Sequence, residues 1–528
     1  MADKNILLIE PGYKNKYPPL GLMKIAAYHG PWGKKDRVRF IKGEVDKDVL
    51  NVVWDRIYVT TLFSFEWKVI GRSINFALAA SHNQPQTVFV GGIAASLMHE
   101  AFQVEPQWRG VRFIKGLLSA PPAIALQLDD FAEELYSDDR DGTPIEDLIP
   151  DYSIIKQIDA QYRYPVHDAY FAYASRGCIR KCHFCGVPKL EGEQRDANSI
   201  TAVVRGIEAR YGPKKDLTLM DNNVVASPNY KNIIAEIRDL GFTPGATLKR
   251  SGKPAVQRRV DFNQGVDARI LCKDKMYLRE MSTICIKPLR IAFDHIGARK
   301  PYETSIRIAH EFGLNELSNY MLYNFHDSPA DLYARMRLNI DLNEELGIRI
   351  FSFPMRYQPT DMKDRSHVGE KWNRYYLRSM QIILQATHGI VSGAPAFFKR
   401  AFGESIDGFD LLLSRPDRYI FNRVWYEELG GAAEFTEYQL RFSRLSTDER
   451  AELIALLSST VPSKFMGLRA RTTSESVRDI LEFYQPLNDV DEAEIWRQCR
   501  ERRASTPDQT CAVPEDERVE DAGLLEPV

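Results

Sequence analysis

Three cysteines, Cys178, Cys182 and Cys185, lie in the run Ser175-Arg-Gly-Cys-Ile-Arg-Lys-Cys-His-Phe-Cys-Gly186. Gaps of three and then two residues let one short loop wrap its thiolates around a single compact metal centre. Iron–sulfur clusters are held by closely spaced thiolates of this kind. A cubane cluster has four iron corners, and only three ligands are local, so the fourth iron is left open to a small molecule. A structural zinc site usually takes four ligands in two separated pairs. This chain has no second close pair, and His183, inside the loop, would strain a tetrahedral site. Cys272, Cys285, Cys499 and Cys511 are isolated, as buried or inert thiols are.

The spacing, with Phe184 just before the third cysteine, resembles the signature of the radical S-adenosylmethionine (radical SAM) enzymes. That resemblance implies a [4Fe-4S] cluster on Cys178, Cys182 and Cys185 whose open iron is chelated by the amino and carboxylate groups of S-adenosylmethionine. Reductive cleavage would then leave a 5′-deoxyadenosyl radical that abstracts hydrogen from a substrate.

At 528 residues the chain is long enough for two or three domains. Its formal charge of −2 gives no global pull toward nucleic acid or anionic lipid. No apolar run approaches the length that spans a bilayer. Nothing at the N-terminus looks like a secretory signal, and the expectation is a cytoplasmic protein.

The first segment alternates strands and helices. Apolar runs at 5–9, 37–41, 57–61, 87–90 and 111–114 read as strands, and Trp67 to Ala80 as a helix. This alternation predicts a parallel sheet covered by helices over residues 1–120. The stretch also resembles the Rossmann-like domain that precedes the radical core in the cobalamin-binding radical SAM subfamily. The matching residues are Glu10-Pro11, Tyr17-Pro-Pro-Leu-Gly21 and Phe89-Val-Gly-Gly-Ile93. There is no Asp-x-His-x-x-Gly, so no histidine is offered as a lower cobalt ligand. The acidic turn often found after the last strand is replaced by Lys115-Gly-Leu-Leu118. Cobalamin and an empty structural domain both remain open.

Residues 121–165 read as a linker with an acidic middle. From 166 to 360 six strand–helix units follow, beginning with a strand at Tyr170–Ala174 that runs into the cysteine loop. This count matches the partial (βα)6 barrel of radical SAM enzymes. Residues 361–500 read as mainly helical, with Ser446 and Glu449 forming a capping box. Residues 501–528 are charged, poor in apolar side chains and expected to be disordered. The fold class is therefore α/β, a Rossmann-like parallel sheet followed by a partial TIM-type barrel and a helical C-terminal region.

Polar residues recur at the strand ends. Asp221, Asn222 and Asn223 follow the second barrel strand, where the family contacts the amino group of S-adenosylmethionine. Gln264, Asp267 and Arg269 follow the third, where they would reach ribose, methionine carboxylate or substrate. Arg290, Asp294, His295 and the run Tyr323–Ser328 extend the set along the next strands. The competing reading for each is a hydrogen-bonded structural role. The run Lys249–Arg259 carries five positive charges and no acid. It is either a phosphate- or nucleic-acid-binding loop or a solvated one, and it has no interleaved aromatic residues.

The sequence thus points to a radical SAM enzyme acting on an unidentified substrate with a reductant such as flavodoxin or ferredoxin. The rivals are a cobalamin-dependent methyl transfer or rearrangement, and a non-catalytic iron–sulfur or zinc protein with a regulatory role.

Overall fold

The apolar runs of the N-terminal segment form one parallel sheet in a computed structural model that describes residues 4–118, 143–487 and 489–504. Its strands are β1 (Asn5–Glu10), β2 (Arg37–Lys42), β3 (Arg56–Thr61), β4 (Val88–Gly92) and β5 (Arg112–Phe113), in the order β2-β1-β3-β4-β5. All four pairings are parallel. Strands buried on both faces must be apolar almost throughout, and Ile6 to Ile9 are each 0% exposed. The helix Trp67–Ala80 lays Ile70, Ile74 and Ala77, spaced by four and three residues, onto this sheet. Phe102, Trp108 and Phe113 close the same core, and truncating one of them to Ala would cost about 3–5 kcal/mol. The strand order reverses direction between β1 and β3, the place where doubly wound sheets open a crevice at their carboxyl ends.

The chain divides into two compact units. The first comprises Met1–Ala292, Lys300–Asn319 and Tyr357–His367, and the second Phe293–Arg299, Tyr320–Arg356 and Val368–Val528. These units do not follow the expected boundaries at 120, 165, 360 and 500, because the Rossmann-like sheet and the first strands of the second sheet cluster together. Most of the expected linker and tail (119–142 and 505–528) lies outside the described residues.

In the first unit β6 (Ala169–Ala172) pairs parallel with β9 (Asp216–Leu219), and β9 with β12 (Val260–Asp261). Isolated parallel bridges Val260–Ile286 and Val266–Ile291 link β12 and the turn after it to the segment around β13 (Leu289–Arg290). β13 in turn pairs with the start of β14 (Glu316–Tyr323). The strands therefore neighbour one another in chain order, as in a βα barrel wall. Two short antiparallel hairpins stand apart from it: β7 (Ser175–Arg176) with β8 (Arg195–Asp196), and β10 (Thr247–Leu248) with β11 (Val256–Gln257). The second hairpin carries the basic run Lys249–Arg259, for which a loop is expected from sequence.

In the second unit the end of β14 lies beside β15 (Arg349–Arg356), with the Tyr320 and Phe353 ring centroids 5.7 Å apart. Helices follow around a core rich in aromatic rings, including Tyr375, Tyr419, Tyr438, Phe442 and Tyr484. The helix Thr447–Ser458 starts with the expected capping box, Ser446 and Glu449 exchanging side-chain and backbone bonds. Such a cap stabilises by about 1 kcal/mol.

Candidate functional site

The strand β6 is fully buried and ends where the chain turns into the cysteine loop. Residues 177–194 leave the protein surface as one excursion whose neck is the β7–β8 hairpin, with Ser175 opposite Asp196 and Arg176 opposite Arg195. Just past the neck the Cys178 N–H donates to the Gly192 carbonyl at 3.3 Å. Gly177 makes the turn at φ +75°, and a Cβ there would stand 2.2 Å from the Glu193 carbonyl oxygen. Only glycine fits that position.

Cys178, Cys182 and Cys185 are half-buried and stand in no disulfide. The Arg180 N–H points to Cys178 Sγ at 3.4 Å and the Val187 N–H to Cys185 Sγ at 3.5 Å. Backbone N–H donors aimed at sulfur are the hydrogen bonds that the cysteine ligands of an iron–sulfur cluster accept. His183 is exposed. Among the described residues no group of three or more His, Cys, Asp or Glu side chains converges to hold a metal ion. Cubane ligands sit on separate irons and do not gather around one point. Three adjacent, accessible and unbridged cysteines with N–H donors to two of the sulfurs fit a cluster.

Three braces from strand ends grip this loop. Asp221, after β9, is 1% exposed and accepts from the Ala174 N–H (2.9 Å), the Ser175 N–H (2.5 Å) and the Ser175 hydroxyl (2.7 Å). Burial pushes its carboxyl up to about 6, against the pull of those donors and of the nearby Arg176 charge. The Asn222 amide donates to Glu191 Oε2 at 3.0 Å. Glu191 also accepts from the Gly177 N–H at 2.8 Å and from Arg176 at 3.2 Å, and Arg176 reaches Glu146 at 3.0 Å. Asp267, after β12, accepts from Arg180 Nε at 2.6 Å and from Arg269 Nε at 2.8 Å, and its Oδ1 caps the short helix Ala268–Leu271. Burial pushes the Asp267 carboxyl up, but the bonds from Arg269 and Arg180 outweigh it and hold it below the usual range.

Five of the six residues expected to bind cofactor therefore cluster at the cysteine loop, directly or through one neighbour. Asn223 and Arg269 are the two indirect ones, Asn223 Oδ1 accepting the Asp267 N–H at 3.4 Å and Arg269 donating to the Asp267 carboxylate. Gln264 is exposed and stands outside the cluster. Both carboxylate oxygens of Asp221 are engaged by the loop's own neck. Arg290 is absorbed by a bidentate pair with Asp261, both contacts at 2.9 Å, and a 3.0 Å bond to Ser318. Sequence reasoning missed Glu191 and Arg180 as braces. Arg180 had a signal, its place inside the cysteine run, whereas the partners of Glu191 are 14 and 31 residues distant.

The carboxyl ends of the Rossmann-like strands lie in the same unit. At β1 and β2 they are filled. Lys42 Nζ pairs with Glu10 at 2.8 Å and donates to Asn15 at 2.6 Å, and the rings of Tyr13, Tyr162 and Tyr164 surround the ammonium. Tyr164 donates its hydroxyl to Glu10. At β4 the end is open, with Gly92 and Ile93 exposed. The helix Ile93–Leu97 that starts there packs against the cysteine loop, because a Cβ on Gly186 would sit 2.9 Å from Leu97 Cδ1.

No family model matches the chain, and no curated protein matches it. Among solved structures it is similar to the radical S-adenosylmethionine methyltransferase TsrM from Kitasatospora setae with cobalamin and a [4Fe-4S] cluster bound, at 14% identity over 68% of this chain and 77% of that one, TM-score 0.45. It is also similar to the cobalamin-dependent S-adenosylmethionine radical enzyme OxsB, at 12% identity over 99% and 83% with TM-score 0.44. A third is HydG, a maturase of the [FeFe]-hydrogenase, at 12% over 79% and 95% with TM-score 0.29. These are distant likenesses, and the functional reading rests on the residues of this chain.

Proposed function

We propose that this chain is a radical SAM enzyme. The observation that carries the reading is the cysteine loop mounted at the end of β6 and held there from β9 and β12. Cys178, Cys182 and Cys185 would hold three irons of a [4Fe-4S] cluster and leave the fourth to S-adenosylmethionine. When bound, that cluster supplies the electron that cleaves S-adenosylmethionine and so starts hydrogen abstraction. The chain's own part is orientation. Asp221 pins the neck by three hydrogen bonds, Glu191 ties the loop's return to its start, and Asp267 fixes Arg180 between the first two cysteines. Arg180 and Arg269 add positive charge beside the site, which suits the negative charge of a thiolate-ligated cluster. A reductant of the flavodoxin or ferredoxin class would deliver the electron.

The test is anaerobic reconstitution. Wild-type protein should bind about four irons, and with reductant and S-adenosylmethionine it should release 5′-deoxyadenosine. Changing any one of Cys178, Cys182 or Cys185 to Ala should abolish both, whereas Cys499→Ala should leave both intact. Stoichiometric zinc without iron would establish the rival metal-binding reading instead.

A second reading, cobalamin in the Rossmann-like half, is favoured by one feature. The open end of β4, with exposed Gly92 and Ile93, leads into the helix that packs on the cysteine loop. A corrinoid seated there would be next to the radical site, as methyl transfer or rearrangement requires.

A further inference from the structure

The β10–β11 hairpin does not take part in the site. It precedes β12, and it stands at the strand starts, whereas the cysteine loop leaves from the strand ends. β6 alone, four residues long, separates those two ends by roughly 13 Å. Arg250 anchors the hairpin by a bidentate pair with Asp168, 2.8 and 2.7 Å, and Arg258 packs its guanidinium 3.6 Å over the Phe242 ring. With these two cations used as anchors, Lys249 and Lys253 point outward, exposed and without an ion pair among the described residues.

The fold brings further cations to this face. Lys214, at the start of β9, sits 4.8 Å over the Tyr152 ring, and its ammonium is held below the usual range by burial and by the charges of Lys156 and Arg250. Lys156 is exposed and belongs to the short helix Ser153–Lys156, which borders β2 through Gln157, an acceptor for the Phe40 N–H at 2.9 Å. Lys35 and Arg37, at the start of β2, are also exposed and unpaired among the described residues. Of the acids nearby, Asp168 pairs with Arg250 and Asp216 with Lys215 at 3.3 Å, while Asp151 accepts from the Tyr211 hydroxyl and Asp36 is bonded to His29 at 2.7 Å. Lys35, Arg37, Lys156, Lys249 and Lys253 are thus exposed without an ion pair among the described residues, in a chain whose net charge is −2.

The aromatic residue missing from the basic run is supplied by the fold. Trp32 is 48% exposed, and the Arg210 guanidinium covers it at 4.8 Å from the ring centroid. Tyr211, next to Arg210, lies 5.6 Å from the buried Tyr152 ring over which Lys214 sits, so Trp32 and Arg210 neighbour the cations around Lys214. An indole backed by arginine and open to solvent is a stacking platform, and cations spread around it suit a phosphate backbone. An acidic protein would satisfy the cations but leave the indole without a partner.

We propose that this face of the first unit binds single-stranded nucleic acid, with phosphates on Lys35, Lys156, Lys249 and Lys253 and a base stacked on Trp32. The experiment is fluorescence anisotropy of a fluorescein-labelled single-stranded RNA oligonucleotide titrated with the full chain. With four phosphates contacted, raising salt from 50 to 200 mM should weaken binding about fifty-fold. The double variant Lys249→Glu, Lys253→Glu should weaken it at least about tenfold, and Trp32→Ala about tenfold, the worth of one stacked base. Both variants should keep the wild-type circular dichroism spectrum and iron content, since none of these side chains is buried or near the cysteines. Polyglutamate should compete poorly, and that weak competition should not respond to Trp32→Ala. No anisotropy change at low salt would overturn the proposal. So would polyglutamate competing as well as unlabelled RNA with Trp32→Ala without effect, which would mark a generic anion patch.

Discussion

Asp221 is the residue on which the geometry makes the sharpest demand. Three donors converge on a carboxylate that is almost wholly removed from water, and burial wins: its folded value is about 6 against 3.8 in the reference state. Between those values the folded protein binds a proton that the unfolded chain does not. Stability from this group therefore grows as pH falls from about 6 to about 4 and is lost as pH rises through that window, by up to about 3 kcal/mol. Asp221→Asn removes the titration and leaves one backbone N–H facing an amide NH2 at a cost of about 1–3 kcal/mol. Thermal midpoints of both proteins across that range test this, and the variant should lose the part of the wild-type pH response that Asp221 supplies. Superimposable profiles would mean that Asp221 does not titrate there. The position of Asp221 was legible from its place after the second barrel strand. Its partners were not, because they belong to a hairpin of two residues per strand, Ser-Arg with Arg-Asp, too short and polar to leave a periodic pattern.

At the scale of the element, the cysteine loop is an excursion with a rigid neck, and its rigidity is testable without any substrate. Gly177→Ala forces a Cβ into the Glu193 carbonyl and holds alanine at positive φ, which alone costs about 1–3 kcal/mol. Glu191→Gln keeps the shape but removes the charge that receives Arg176 and the Gly177 N–H. The expected outcomes are loss of most iron on reconstitution for Gly177→Ala and a faster loss to a chelator for Glu191→Gln. Normal iron retention in both would show that the loop holds its cysteines without the neck. The same element shows why strands were readable and braces were not. β1, β3 and β4 are near-continuous apolar runs, and such runs have few alternatives to a buried parallel strand. The Arg180–Asp267 pair spans 87 residues and the Glu191–Asn222 pair 31. Nothing local in the sequence encodes a contact at that separation. The basic run was legible as charge but not as a hairpin, because its two-residue strands are exposed and its aromatic companion, Trp32, lies more than two hundred residues away in sequence.

At the scale of the molecule, the Rossmann-like sheet and the cysteine loop belong to one compact unit, and the segment Tyr357–His367 joins it. That segment crosses from the loop to the sheet. Lys189 of the loop donates to Thr360 at 3.2 Å, Lys363 pairs with Glu105 at 2.6 Å while lying 4.0 Å over the Trp67 ring, and Arg365 reaches Glu66 at 3.5 Å. One segment thus contacts both the cysteine loop and the helices that flank the sheet. A substitution at the open end of β4 tests the cobalamin reading. Gly92 is unsuitable, since it sits at φ +104° and a Cβ would stand 2.4 Å from the Thr61 carbonyl oxygen, so any substitution there would disturb the sheet itself. Ile93 is the better position, 40% exposed at the mouth of the same opening. Equilibrium dialysis of cluster-loaded protein against hydroxocobalamin should show retention if a corrinoid belongs there. Ile93→Arg should abolish that retention with iron content unchanged, because it puts a bulky charged side chain at an exposed position of the opening. Retention that survives Ile93→Arg would place the corrinoid elsewhere. No retention by the wild-type protein would leave hydrogen abstraction without cobalamin as the surviving chemistry, with Glu10, Lys42 and their tyrosine cage serving to close the other half of the crevice.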